Sequence, residues 1–139
     1  MIFKNLYRYW IKYYNMFSNL DSSGKHMICD FKQIKNIQLL NNCHELNSVM
    51  NDICEKCHFH ILTRNEHEFH PIGCSILFLL SESQLSLHTF PERHHMSFDI
   101  YTCRQYENDD CYNMIYLFLL EKLQASSLTS TCQIINRSF

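Results

Sequence analysis

The chain has 139 residues, 46% of them hydrophobic, and a formal net charge of −2 from 12 Lys+Arg against 14 Asp+Glu. That length suits one core-forming domain, and the near balance of charge excludes the strong field that a nucleic-acid or membrane-surface protein carries. Glycine and proline occur twice each, which argues against linkers and low-complexity tracts. The eight cysteines would suit a secreted disulfide scaffold only alongside a signal peptide and a core-poor sequence. Met1 to Leu20 instead carries Lys4, Arg8 and Lys12 among aromatic residues, with no apolar run fit for a signal peptide or a membrane span. The expected setting is a reducing cytoplasm with free thiols. Residues 1–23 read as an N-terminal extension, either a packed helix, a disordered leader or a helix for a membrane surface or partner, and 24–139 as a single domain.

In chain order, Lys25 to Lys32 partly alternates, with Met27, Cys29 and Phe31 on one side, and predicts a half-buried strand. Asn41-Asn42 offers an N-cap to a helix whose stripe is Cys43, Leu46, Val49, Met50, Ile53 and Cys57. Phe59 to Phe69 returns to a strand pattern, and Pro71-Ile72-Gly73 marks a turn. Cys74 to Leu80 predicts a central strand. Leu85, Leu87 and Thr89 alternate with Ser86, His88 and Phe90 in a further strand ended by Pro91. Met96 to Cys103 repeats the period with Phe98, Ile100 and Thr102 on one face. Tyr112 to Leu123 predicts a helix with Ile115, Phe118 and Leu119 inward, and Ser130 to Asn136 an edge strand. This order predicts an α+β domain, a two-layer sandwich with an antiparallel sheet and helices on one face.

Three groups of residues bear on chemistry. Cys54-Glu55-Lys56-Cys57-His58 has the spacing of covalent haem attachment, and with His60 it offers zinc ligands, although its cysteines sit at the end of an amphipathic helix. His94-His95 beside Glu92 lacks a spaced partner pair, so a solvated loop competes with a metal site. Ser83, His88 and Cys103 fall on or beside neighbouring strands. A nucleophile, a base and a thiol there can share a pocket, with core packing as the alternative.

The string Leu80-Ser81-Glu82-Ser83-Gln84-Leu85-Ser86-Leu87-His88-Thr89-Phe90-Pro91-Glu92, followed by Asp99-Ile100-Tyr101-Thr102-Cys103, resembles the processing-site signature of the short prokaryotic-type S-adenosylmethionine decarboxylases. In that family Glu-Ser-His, then serine or threonine, His-Thr-Trp-Pro-Glu and Asp-(Ile/Leu)-Phe-Thr-Cys are usual, and the spacing from Ser83 to Cys103 needs no gap. Gly24-Lys25-His26 resembles the family's Gly-Arg-His opening, and His67 to Ser75 resembles the stretch that supplies a processing serine and an aromatic wall. Gln84 departs from the usual histidine, Phe90 from tryptophan, and Arg104 from the glycine that usually follows the cysteine.

The resemblance implies self-cleavage between Glu82 and Ser83. Ser83 attacks the Glu82 carbonyl, His88 takes the Ser83 α-proton in the elimination that follows, and Ser75 helps to hold the oxyanion. Ser83 thereby becomes a pyruvoyl group, the cofactor, which forms a Schiff base with the substrate amine and serves as the electron sink for loss of carbon dioxide. Cys103 returns a proton to the carbanion. Phe69 and Phe90 stack on adenine, Glu92 accepts bonds from the ribose, and Leu85 completes the substrate-binding set. The implied function is conversion of S-adenosylmethionine to its decarboxylated form for spermidine synthesis, by a homodimer with sheets packed face to face and with no nucleic-acid or membrane partner. A pyruvoyl-dependent ornithine or arginine decarboxylase and a processing-dead regulatory homologue are the competing readings.

Overall fold

Residues alternating with period two form the sheet, and residues recurring with period 3.6 cover it. The computed structural model describes residues 22–139. Its elements are β1 (Ser22–Phe31), α1 (Ile37–Leu40), α2 (Cys43–Lys56), β2 (Ile61–Glu68), β3 (Cys74–Leu80), β4 (Ser83–Phe90), a 3-10 turn (Pro91–Arg93), β5 (His95–Thr102), α3 (Asp110–Leu123) and β6 (Thr131–Ser138). The helix or leader expected over Met1 to Leu20 lies outside the described residues. Ser22 and Ser23, assigned above to the extension, belong to β1, where Ser22 pairs with Ser138 of β6.

Among the described residues the strands form one sheet in the order β2-β3-β4-β5-β1-β6, and every pairing is antiparallel. Hairpins join β2 through β5 in series, and β1 closes against β5 before β6 takes the edge. The α+β two-layer sandwich expected from the sequence is the fold observed.

One face of the sheet contributes Met27, Cys29, Phe31, Ile76, Phe78, Leu80, Leu85, Leu87, Met96, Phe98 and Ile100 to a single core. From α2 come Leu46, Val49, Met50 and Ile53, and from α3 Tyr112, Ile115, Leu119 and Leu123. Phe118, expected inward, sits at the margin of that stripe, with the ammonium groups of Lys56 and Lys122 5.4 and 5.5 Å from its ring centre. Asn42 caps α2 as its position before the stripe predicts, its Oδ1 accepting from the Glu45 N–H at 3.0 Å.

The sequence pattern did not reveal α1. Its four residues are too few to show a period; the Asn36 side chain caps it, and burial of Leu39 and Leu40 holds it down. Thr89 fastens this turn to the sheet, donating to the Leu40 carbonyl and accepting from the Cys74 N–H, both at 2.8 Å.

The other face of the sheet carries no helix among the described residues. Large apolar side chains remain exposed there: Ile28, Leu77, Leu79, Phe90 and Ile135. Between them runs a polar row in which Asp99 accepts from Ser86 and pairs with His26 at 2.7 Å.

Candidate active site

The β3–β4 hairpin turns through Ser81 and Glu82, since Leu80 pairs with Ser83. At the first residue after the turn, Ser83 has φ 141°, a region where a side chain crowds the backbone and glycine is favoured. Holding a serine there costs on the order of 1–3 kcal/mol. The Glu82 carbonyl beside it accepts a hydrogen bond from the Cys103 backbone N–H at 2.9 Å. A preorganised donor on that oxygen stabilises the negative charge that develops when the carbonyl carbon is attacked.

Pairing of Ser83 with Thr102 at the end of β5 brings Cys103 alongside. Burial raises the pKa of the Cys103 thiol above the ordinary cysteine value, and the nearby Glu82 charge adds to the shift. The Ser83 side chain favours the Cys103 thiolate, but only as a lesser influence. The thiol is therefore protonated at neutral pH and able to give up a proton.

Gly24 fixes the approach of this segment. A Cβ on Gly24 would lie 2.1 Å from the Thr102 carbonyl oxygen and 2.8 Å from the Cys103 Cα. With φ +124° as well, only glycine lets β1 pass so close to the cysteine.

Ser75 and His88 face each other on β3 and β4, with Oγ and Nδ1 2.7 Å apart. Phe69, Gly73 and Phe90 line up at the same end of the sheet. The Phe69 N–H donates to the Gly73 carbonyl at 2.8 Å, and continuing the β3–β4 register sets Gly73 opposite Phe90. The residue between the two aromatic rings therefore has no side chain. Glu92, exposed on the 3-10 turn, follows directly.

The proposed residues therefore fall into two groups at opposite ends of the β3–β4 hairpin. Ser83 and His88 lie five positions apart on one strand, about 16 Å at 3.3 Å per residue. The expectation that one chain gathers serine, histidine and cysteine into one pocket does not hold. Nor does Ser75 reach the Glu82 carbonyl within the chain; the donor found there is the Cys103 N–H, which sequence reasoning missed. The Leu85 side chain is 0% exposed on the helix-covered face, the face opposite His88, so it serves the core and offers no side-chain contact to a ligand.

Sequence reasoning also missed the surroundings of the Glu82 side chain. Glu82 is 4% exposed, and its carboxylate accepts from Arg104 Nη2 at 2.8 Å, from the His60 ring at 3.0 Å and from the His60 backbone N–H at 3.1 Å. Burial alone would raise its pKa. The His60 bonds, a bond from Ser81 and the Arg104 charge outweigh that and hold it below the ordinary glutamate value. The only signal in the sequence was Arg104 itself, the departure from glycine.

The competing motifs are used in packing. Cys54 and Cys57 are buried, and Cys57 Sγ lies 3.3 Å from Cys111 Sγ. Their hydrogen bond lowers the Cys111 pKa to about 6 and raises that of Cys57. His94 bonds the Ile34 carbonyl, and His95 bonds Ser97. Among the described residues no three His, Cys, Asp or Glu side chains converge as metal ligands.

The site is thus a strained serine at a hairpin turn on a half-open α+β sandwich, with the carbonyl of the preceding Glu82 held by the Cys103 N–H. The fold agrees with that of the adenosylmethionine decarboxylase from Aquifex aeolicus, with a TM-score of 0.74 over 86% of this chain and 94% of that one, at 18% identity. Residues 25–133 match the family model described as S-adenosylmethionine decarboxylase. The chain belongs to that family. It is 39% identical over 80 residues to S-adenosylmethionine decarboxylase proenzyme 2 of Bacillus cereus, covering 58% of this chain and 64% of the relative. The proenzyme of Brevibacillus brevis is also 39% identical over 80 residues, 58% of this chain and 59% of that one. That of Picrophilus torridus is 32% identical over 87 residues, 63% and 66%. The matched stretch thus spans somewhat under two thirds of the first two relatives.

Proposed function

We propose that this chain is a proenzyme that cleaves itself between Glu82 and Ser83 and then decarboxylates S-adenosylmethionine, giving an aminopropyl donor for spermidine synthesis. The observation that carries the reading is the strained Ser83 beside a carbonyl already bonded to the Cys103 N–H. Attack of Ser83 Oγ on the Glu82 carbonyl carbon moves the acyl group from nitrogen to oxygen and leaves an ester and a free amine. Relief of the positive φ favours this step. Removal of the Ser83 α-proton by His88 then expels Glu82 as a free carboxylate, and water converts the remaining dehydroalanine to a pyruvoyl group with loss of ammonia.

When formed, the pyruvoyl group supplies the electron sink for decarboxylation. The half-buried, protonated thiol of Cys103 suits the return of a proton to the substrate carbon. Phe69 and Phe90, with Gly73 between them, offer two faces to a flat base, and Glu92 offers a carboxylate to its ribose. The family match and the names of the relatives support S-adenosylmethionine as the substrate.

His88 stands about 16 Å from Ser83 within the chain, so the reaction as assigned needs a second copy. We infer a homodimer through the open sheet faces. A two-fold axis running across the strands sets the Ser75–His88 end of one copy over the Ser83–Cys103 end of the other. The exposed Ile28, Leu77, Leu79 and Ile135 give that interface its apolar content. A cytoplasmic setting suits the free thiols, and among the described residues no helix is long and apolar enough to cross a membrane.

Intact mass spectrometry of the denatured protein tests this reading. Two chains are expected, one ending at Glu82 and one beginning with a pyruvoyl group, while Ser83→Ala gives a single full-length mass. A full-length parent after prolonged incubation would overturn it.

A further inference from the structure

Arg104 departs from the glycine that usually follows the family's cysteine, and its contacts tie the α2–β2 connection to Glu82, the residue before the bond proposed to break. Nη2 donates to the Glu82 carboxylate and to the His58 carbonyl, both at 2.8 Å. Nη1 donates to the Cys57 carbonyl at 2.5 Å. The guanidinium carbon lies 5.0 Å over the Phe59 ring. One cation thus bridges the chain between α2 and β2 to the turn between β3 and β4. His60 adds two further donors to the same carboxylate.

Because Cys103 and Arg104 are consecutive, a single segment grips Glu82 twice. The Cys103 N–H holds its backbone carbonyl, and the Arg104 guanidinium holds its side chain. A planar guanidinium with its fixed fork of donors suits these three bonds better than a lysine, whose single ammonium cannot span carboxylate and carbonyls in one plane. Removing one partner of a buried carboxylate is strongly destabilising, and Glu82 sits in the short β3–β4 turn that also carries the scissile carbonyl, so loss of its side-chain anchor loosens the turn.

We propose that Arg104 is a positioning residue for self-cleavage: by fixing the Glu82 side chain it keeps the scissile carbonyl on the Cys103 N–H and Ser83 in its strained conformation. The inference rests on the self-cleavage reading above and assigns this chain a processing device at a position where its family usually has no side chain.

The test measures the rate of appearance of the two cleaved chains in freshly purified full-length protein. Arg104→Met is expected to slow cleavage at least tenfold. Arg104→Lys restores part of the rate, and guanidinium ion at millimolar concentration restores part of it in Arg104→Ala. In a Glu82→Gln background, where the carboxylate is already neutral, Arg104→Met adds little. Thermal unfolding of the same substitutions on uncleavable Ser83→Ala protein shows whether each still folds. Cleavage of Arg104→Met and Arg104→Ala at the parent rate overturns the inference and leaves self-cleavage standing. So does a slowing that neither lysine nor guanidinium relieves, or one that adds in full to Glu82→Gln, since either marks a purely structural role. A parent chain that never cleaves is a separate result and overturns both readings.

Discussion

The two ends of the β3–β4 hairpin differ in how the chain holds them. At the turn, Ser83 has a positive φ, Glu82 is buried on three side-chain hydrogen bonds, and Gly24 is pressed against Thr102 and Cys103. At the other end, Ser75 and His88 share one hydrogen bond on an open sheet face, flanked by Phe69, which is 48% exposed, and Phe90, which is 39% exposed. One end stores strain and is braced by its own chain. The other is ordinary strand geometry waiting for something to be laid on it. The proposed reaction draws on groups from both ends and so calls for a second molecule, with the proposed brace holding the turn in place for it.

The largest effect that sharpens this contrast is at Cys103, whose N–H and thiol are given different tasks. Cys103→Ala keeps the backbone donor on the Glu82 carbonyl and removes only the acid. Cleavage is expected to proceed, while carbon dioxide release from S-adenosylmethionine falls by about a hundredfold or more, the range for loss of a general acid. Decarboxylation at the parent rate in a fully processed variant would remove the thiol from the mechanism.

A smaller effect isolates the strain. In uncleavable protein, Ser83→Gly is expected to be more stable than Ser83→Ala by about 1 kcal/mol, because only glycine accepts a φ near 140° without crowding. This reverses the usual order for a strand, where glycine is the weaker residue. Denaturant midpoints measure the difference, and an alanine variant as stable as the glycine one would mean that the turn holds no strain to release.

Much of the fold was legible because its periods are regular. Met27, Cys29 and Phe31 alternate into the core, and the stripe from Cys43 to Ile53 lies against the sheet as its spacing requires. The processing string was legible too, as a family pattern on neighbouring strands. Spacing along a chain, however, gives neither strand register nor distance along a strand. The gap between Ser83 and His88 follows from pairing Leu80 with Ser83 and Ser75 with His88, which the string alone does not contain. Leu85 was drawn toward the substrate by its place in the string, whereas alternation from Leu87 already sets it on the core face. The brace around Glu82 comes from His60 in the α2–β2 connection, 22 positions earlier, and from Arg104, 22 positions later, and only folding brings the two to it.

The most direct test of the two-copy site uses two inactive chains. Ser83→Ala has no bond to break, and His88→Ala has no base to complete the elimination, so neither alone should yield a pyruvoyl chain. In a mixed dimer the Ser83→Ala copy supplies its intact His88 to the Ser83 of the other. Co-expressing the two with different tags, isolating the mixed dimer and weighing its chains should reveal a pyruvoyl fragment from the His88→Ala copy alone. A mixed dimer that forms and stays full length would contradict the account, as would a His88→Ala protein that yields the pyruvoyl chain unaided.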